Sequence, residues 1–131
     1  MEENKDTELL VLGARIVLII GGYGSDEYVR EGRIIKKHKN GNVKIDCDGY
    51  RERQFNVAGR CGWMTGTDWH RPRIEIWDEQ NDAEIKERFR IQKNRKRLKD
   101  IERRIRGCKP DGISEEALDQ IEVAISSITN G

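Results

Sequence analysis

The sequence predicts an α+β protein, a small antiparallel β-barrel followed by a C-terminal antiparallel α-helical hairpin. Three observations carry this. The front of the chain holds short β-branched or alternating apolar stretches cut by glycine turns. The back holds two stretches of strong helix formers, each with a single apolar stripe. Charge changes where the two meet: net −1 over residues 1–79, +7 over 80–110 and −5 over 111–131, which returns the +1 of the whole chain. The expected organisation is a barrel over residues 1–79 and, over 80–131, a helical hairpin serving oligomerisation or docking.

Composition bounds the class. The chain has 131 residues, 35% hydrophobic and 37% charged, which allows only a small core and demands a charged surface. Large enzyme folds such as the eight-stranded α/β barrel need far more chain. The longest apolar run, Ile16 to Ile20, is far short of the roughly 20 residues that a membrane span requires. The start, Met1-Glu2-Glu3-Asn4-Lys5-Asp6, is acidic and unlike a basic signal peptide. Cys47, Cys61 and Cys108 are scattered and odd in number, which points to a reducing compartment. A cytoplasmic protein without a membrane segment is the expectation.

Ala14 to Ile20 is apolar on both faces and suits a strand covered on both sides. Gly21-Gly22-Tyr23-Gly24-Ser25 breaks it. A second strand is expected from Tyr28 to Lys39, with Gly32 as a bulge or a point of close approach. Asn40-Gly41 signals a hairpin, and Val43, Ile45 and Cys47 then alternate with Lys44, Asp46 and Asp48 as a half-buried strand. Asp48-Gly49 turns into a fourth strand over Arg51–Val57, and Arg73–Trp77 makes a fifth. Three-residue loops at both turns set Val43 opposite Lys37 and Phe55, and Ile45 opposite Ile35. A slip of one residue would exchange the two faces of every strand.

Five short strands joined by glycine turns close most naturally as an SH3-like barrel. Ala14-Arg15-Ile16-Val17-Leu18-Ile19-Ile20-Gly21-Gly22-Tyr23-Gly24, followed by Glu31-Gly32-Arg33-Ile34-Ile35, resembles the KOW and Tudor type of this barrel. The resemblance covers about residues 12–57. It implies a binding barrel for nucleic acid or protein, without catalysis.

From Asn81 to Arg106 there is no Pro or Gly. Ile91, Leu98 and Ile105 recur every seven residues, as do Asn94, Ile101 and Cys108, giving an a/d seam with one polar member. Asn94 either fixes register or belongs to a solvated half of the helix. Gly107 and Lys109-Pro110-Asp111-Gly112 end the helix. Ser114 is a good N-cap for a second helix, with Glu115 and Glu116 placed against its dipole. Leu118, Ile121, Ile125 and Ile128 form its stripe. Two short stripes bury little by themselves. The hairpin is expected to dock on the Val17/Ile19 face of the barrel or on a second copy of the chain, most simply as a homodimer.

The whole layout is similar to small accessory proteins of tailed bacteriophages. The carrying segments are Phe55-Asn56-Val57-Ala58-Gly59-Arg60, Cys61-Gly62-Trp63-Met64-Thr65-Gly66, and the terminal pair containing Leu98-Lys99-Asp100-Ile101 and Ser114-Glu115-Glu116-Ala117-Leu118. This resemblance implies an early gene product, from a class rich in inhibitors of host enzymes and of bacterial immunity.

Catalytic and metal signatures are sparse. His38, His70 and the three cysteines show no Cys-x-x-Cys and no paired His spacing. No cofactor, metal or catalytic residue is expected. Gly59–Pro72 is the first candidate interface, holding Arg60, Trp63, Met64, Trp69, His70 and Arg71. Trp and Arg are common interface anchors. One of Trp63 and Trp69 is expected to plug a barrel end and the other to be exposed. The second candidate is a polyanion face made by Lys93, Lys96 and Arg97 on the helix and Lys36, Lys37 and Lys39 on the hairpin. A solvated helix paired with acidic residues is the plainer reading of the first three. The functional expectation is a non-enzymatic inhibitor or modulator that occupies a host protein or protein–nucleic-acid complex. The alternative is a DNA- or RNA-binding barrel.

Overall fold

The computed structural model describes residues 10–21, 26–66 and 71–129. The chain forms two compact units, Met1–Lys93 and Asn94–Gly131. The boundary falls inside a helix, past the expected division between residues 79 and 80.

The first unit is a closed antiparallel barrel of six strands in sequential order. They are β1 (Arg15–Ile20), β2 (Tyr28–Lys37), β3 (Val43–Asp46), β4 (Gln54–Ala58), β5 (Cys61–Met64) and β6 (Arg73–Ile76). β6 closes the barrel on β1, with Leu18 opposite Ile74. Five strands were expected. The additional one is β5, which lies within the Gly59–Pro72 stretch, where no strand was expected.

β5 escaped notice because glycines flank and interrupt it. Gly59 and Arg60 form a two-residue turn that pairs Ala58 with Cys61. Gly59 has φ 64°, a left-handed conformation that other residues adopt reluctantly. Gly62 sits mid-strand for a different reason. A Cβ there would lie 3.1 Å from Ile74 Cγ1 and 3.2 Å from the Asn56 carbonyl oxygen. Only a bare backbone lets β4, β5 and β6 come together at that point.

Register follows the alternation closely. Val43 lies opposite both Lys37 and Phe55. The β2–β3 loop has three residues. His38 N–H donates to the Asn42 carbonyl and Gly41 N–H to the His38 carbonyl, with Gly41 at φ 92°. Ile45, however, pairs with Ile34 rather than Ile35. A bulge at Ile35 absorbs one residue, turning Ile35 outward and leaving Ile34 in the core. The β3–β4 connection is longer than expected. Two successive turns, Tyr50 N–H to the Cys47 carbonyl and Arg53 N–H to the Tyr50 carbonyl, bridge it. Gly32 is a point of close approach, where a Cβ would stand 3.0 Å from the Asp46 carbonyl oxygen.

Inside the barrel lie Leu10, Ile16, Leu18, Ile34, Val43, Ile45, Phe55, Met64, Ile74 and Ile76. The outer face of β1 is covered as well. Val17 and Ile19 pack with Val29, Trp77, Ile85 and Phe89. Ile85 and Phe89 belong to the first turns of helix α1 (Asp82–Arg106), which covers the expected Val17/Ile19 face. The docking residues are Ile85 and Phe89, with Gln92 following at the next turn. They are distinct from the heptad seam.

The second unit holds the rest of α1, a 3-10 turn at Pro110–Gly112 and helix α2 (Glu115–Thr129). Ser114 Oγ accepts the Ala117 N–H at 3.1 Å, an N-cap as the sequence predicts. No helix of the described residues is long and apolar enough to cross a membrane.

Candidate functional site

The Trp/Arg stretch comes apart once β5 is in place. Strand alternation sends Met64 into the core, where it is 7% exposed, so its candidacy as a partner contact fails. Arg60 is held within the fold. Its Nη2 lies 2.6 Å from Asp78 Oδ1, and Asp78 also accepts the Gln80 N–H. Asn81 completes the clamp, donating from Nδ2 to the Ile76 carbonyl at 2.7 Å and accepting the Asp78 N–H. Arg60 thereby fixes the passage from β6 into α1. Its hydrogen bond holds the Asp78 carboxyl below the usual carboxylate range.

Trp63 remains on the outer face of β5, half-buried, between Asn56 on β4 and Arg73 on β6. It is no barrel plug. Arg71 is exposed nearby in sequence. Trp69 and His70 lie outside the described residues.

Among the described residues the buried tryptophan is Trp77, 8% exposed. Its ring stacks on Phe89 at 5.4 Å between centroids, and the Arg15 guanidinium lies 3.5 Å from its centroid. Its Nε1–H donates to Asp82 Oδ1 at 2.8 Å. That bond, with the nearby Lys86 ammonium, lowers the Asp82 carboxyl below its ordinary value. Two further contacts seat the helix. Arg88 reaches Glu27 at 2.6 Å. Val29 N–H donates to Gln92 Oε1 at 2.6 Å while Gln92 Nε2 donates to the Val29 carbonyl at 3.0 Å. Sequence reasoning missed Gln92 because an amide among charged helix residues looks like solvated surface.

The cations fall into two groups. Arg90, Arg103, Arg104 and Arg106 pair with acids three or four residues away on their own helix. Lys93, Lys96 and Arg97 are exposed and form no ion pair among the described residues. Their i, i+3, i+4 spacing puts them on one helix face. Lys36, Lys37 and Lys39 are likewise exposed and without an ion pair among the described residues.

The seam is open. Ile91, Leu98, Ile101, Ile105, Leu118, Ile125 and Ile128 are 43–69% exposed. Asn94 is exposed as well, and Ile121 is half-buried.

Among nucleophiles, burial pushes the Cys47 and Cys61 thiols up, which suppresses the reactive thiolate at neutral pH. Cys108 is exposed. An open cleft of about 590 Å³ lies among Arg30, Glu31, Asp46, Cys47, Asp48 and Arg51. Arg51 pairs with Asp46 at 2.8 Å and with Asp48 at 3.2 Å, and Arg30 donates to the Asp48 carbonyl. These charges satisfy one another. Among the described residues no three His, Cys, Asp or Glu side chains gather as a ligand set.

The fold and these surfaces define an α+β protein built on a closed six-stranded antiparallel barrel. No protein-family model, curated protein or solved structure matches the chain.

Proposed function

We propose that this chain is a non-enzymatic binding protein with an SH3-like barrel, of the tailed-phage accessory class. It would act in the bacterial cytoplasm by occupying the surface of a host protein or protein–nucleic-acid complex. The observation that supports the reading is Trp63, half-buried on the outer face of β5 between Asn56 and Arg73. A large ring standing outside the core beside an arginine is the kind of side chain that dominates protein interfaces. Arg71 extends the same stretch of chain.

The test is a pull-down from bacterial lysate with and without nuclease, followed by affinity measurement on the captured partner. Trp63→Ala should weaken binding by about 2 kcal/mol, roughly 30-fold, when measured at a temperature where the variant is still fully folded. Binding that survives Trp63→Ala and Arg71→Ala together would refute this surface.

A second reading has its own observation, the exposed face of Lys93, Lys96 and Arg97, which form no ion pair among the described residues. If DNA or RNA is the partner, binding should fall by about 0.7 to 0.9 log units per log unit of salt for each phosphate neutralised. Reversal of all three charges should then abolish it, and Trp63→Ala should leave it unchanged. For a protein partner the same reversals should alter association rates only modestly.

A further inference from the structure

Leu98, Ile101 and Ile105 on α1, and Leu118, Ile125 and Ile128 on α2, are each 43% exposed or more. Scattered surface aliphatics need no explanation, but these repeat in step. Leu98 and Ile105 are seven apart with Ile101 between them. Leu118 and Ile125 are seven apart with Ile121 and Ile128 three residues after each. Both are heptad stripes, which fit another helix with a heptad stripe and fit a strand or flat sheet poorly.

Flanking charge says which helix. Residues 94–109 carry eight basic and two acidic side chains, whereas α2 carries four acidic and no basic ones. At the positions beside the stripes α1 presents Arg95, Arg97 and Arg104 with a single acid, Glu102, and α2 presents Glu115 and Glu122. Such flanking positions choose partner and orientation in helical coils. An occupant that brings acid to α1 and base to α2 gains at both rows of flanking positions. The chain itself carries both.

We infer that the stripes of the second unit are covered by a second copy of this chain. Each copy's α1 lies along its partner's α2 about a twofold axis. A twofold arrangement makes the same favourable contact twice. Several half-exposed aliphatic side chains per copy, with the stems of their charged neighbours, supply area of the order of the roughly 1,200 Å² at which stable interfaces begin. The exposed Asn94, at a seam position, restricts register as a polar seam residue does. This inference is independent of the Trp63 surface, which lies on the barrel.

Sedimentation equilibrium on the full chain at tens of micromolar tests it. The parent should be a dimer. Leu98→Asp and Ile125→Asp should each raise the dissociation constant by about 100-fold or more, since an unpaired charge would be buried in the seam. Tryptophan fluorescence of the barrel should be unchanged. A second set leaves the stripe intact. Glu115→Arg with Glu122→Arg should weaken the dimer, and mixing that variant with Arg95→Glu/Arg104→Glu should restore association as a heterodimer. A monomeric parent, or a dimer indifferent to both sets, overturns the inference. So does a stripe that becomes protected only when a different protein is added.

Discussion

Gln92 offers the sharpest test of how α1 is held on the barrel. β3 pairs with β2 only from Arg33 onward, which leaves the first half of β2 without a strand on that side. Val29 lies in this half and is almost fully buried. Its N–H and its carbonyl both bond to the Gln92 side-chain amide, at 2.6 and 3.0 Å. The amide thus takes the place of a peptide unit from a neighbouring strand.

Gln92→Ala would remove both bonds and leave a buried donor and acceptor without partners. Each typical bond contributes about 1 kcal/mol net, and an unsatisfied buried group costs about 1–3 kcal/mol. Partial access of water favours the lower end, giving about 2–3 kcal/mol in all. At about 4–8 °C per kcal/mol for a domain of this size, melting should fall by roughly 10–20 °C. Gln92→Glu should recover little, because a carboxylate accepts from Val29 N–H but faces the carbonyl with a second acceptor. Thermal unfolding followed by tryptophan fluorescence reads the transition, since Trp77 sits beside Phe89 one turn away. If Gln92→Ala melts within about 2 °C of the parent, the amide is not a strand surrogate.

Two further predictions concern the barrel. Asp78 is held below its ordinary value of 3.8, so the Arg60–Asp78 bond contributes stability above that pH and loses it as pH falls through the lowered folded value. Melting temperature against pH should therefore drop below about pH 4 in the parent and fall less steeply in Asp78→Asn; parallel curves would remove the linkage. Gly62→Ala drives a Cβ to 3.2 Å from the Asn56 carbonyl oxygen, which backbone cannot easily yield, and should cost about 1–3 kcal/mol in chemical denaturation. A variant as stable as the parent would show that β4 and β5 have slack there.

The legible parts of this fold are those where neighbours in sequence decide the outcome. Val43 and Ile45 alternate with Lys44 and Asp46, and that pattern was enough to place Val43 against both Lys37 and Phe55. Ile16 to Ile19 carried no polar face, and the strand is buried on both sides. Ser114 announced the start of α2 by its hydroxyl. In each case the physics lies within a few residues: a pleat of period two, a cap, a glycine that permits a turn.

Illegible parts depend on partners far along the chain. Arg60 read as an interface anchor because its acid, Asp78, is 18 residues away. Gln92 meets Val29 across 63 residues, and nothing local marks either as the other's partner. Gly62 looks like punctuation until Ile74 and Asn56 converge on it. The same argument separates the two surfaces that remain. Trp63 is defined by which face of β5 it takes, a fact settled as soon as Met64 enters the core. The heptad stripes are defined by what covers them, and among the described residues they stay exposed. Their charges then matter more than their apolar side chains. Any helix with a stripe could bury Leu98 and Ile125, but only one that is acidic against α1 and basic against α2 gains from both rows of flanking residues. That requirement makes the interaction selective, and this chain meets it with its own two helices.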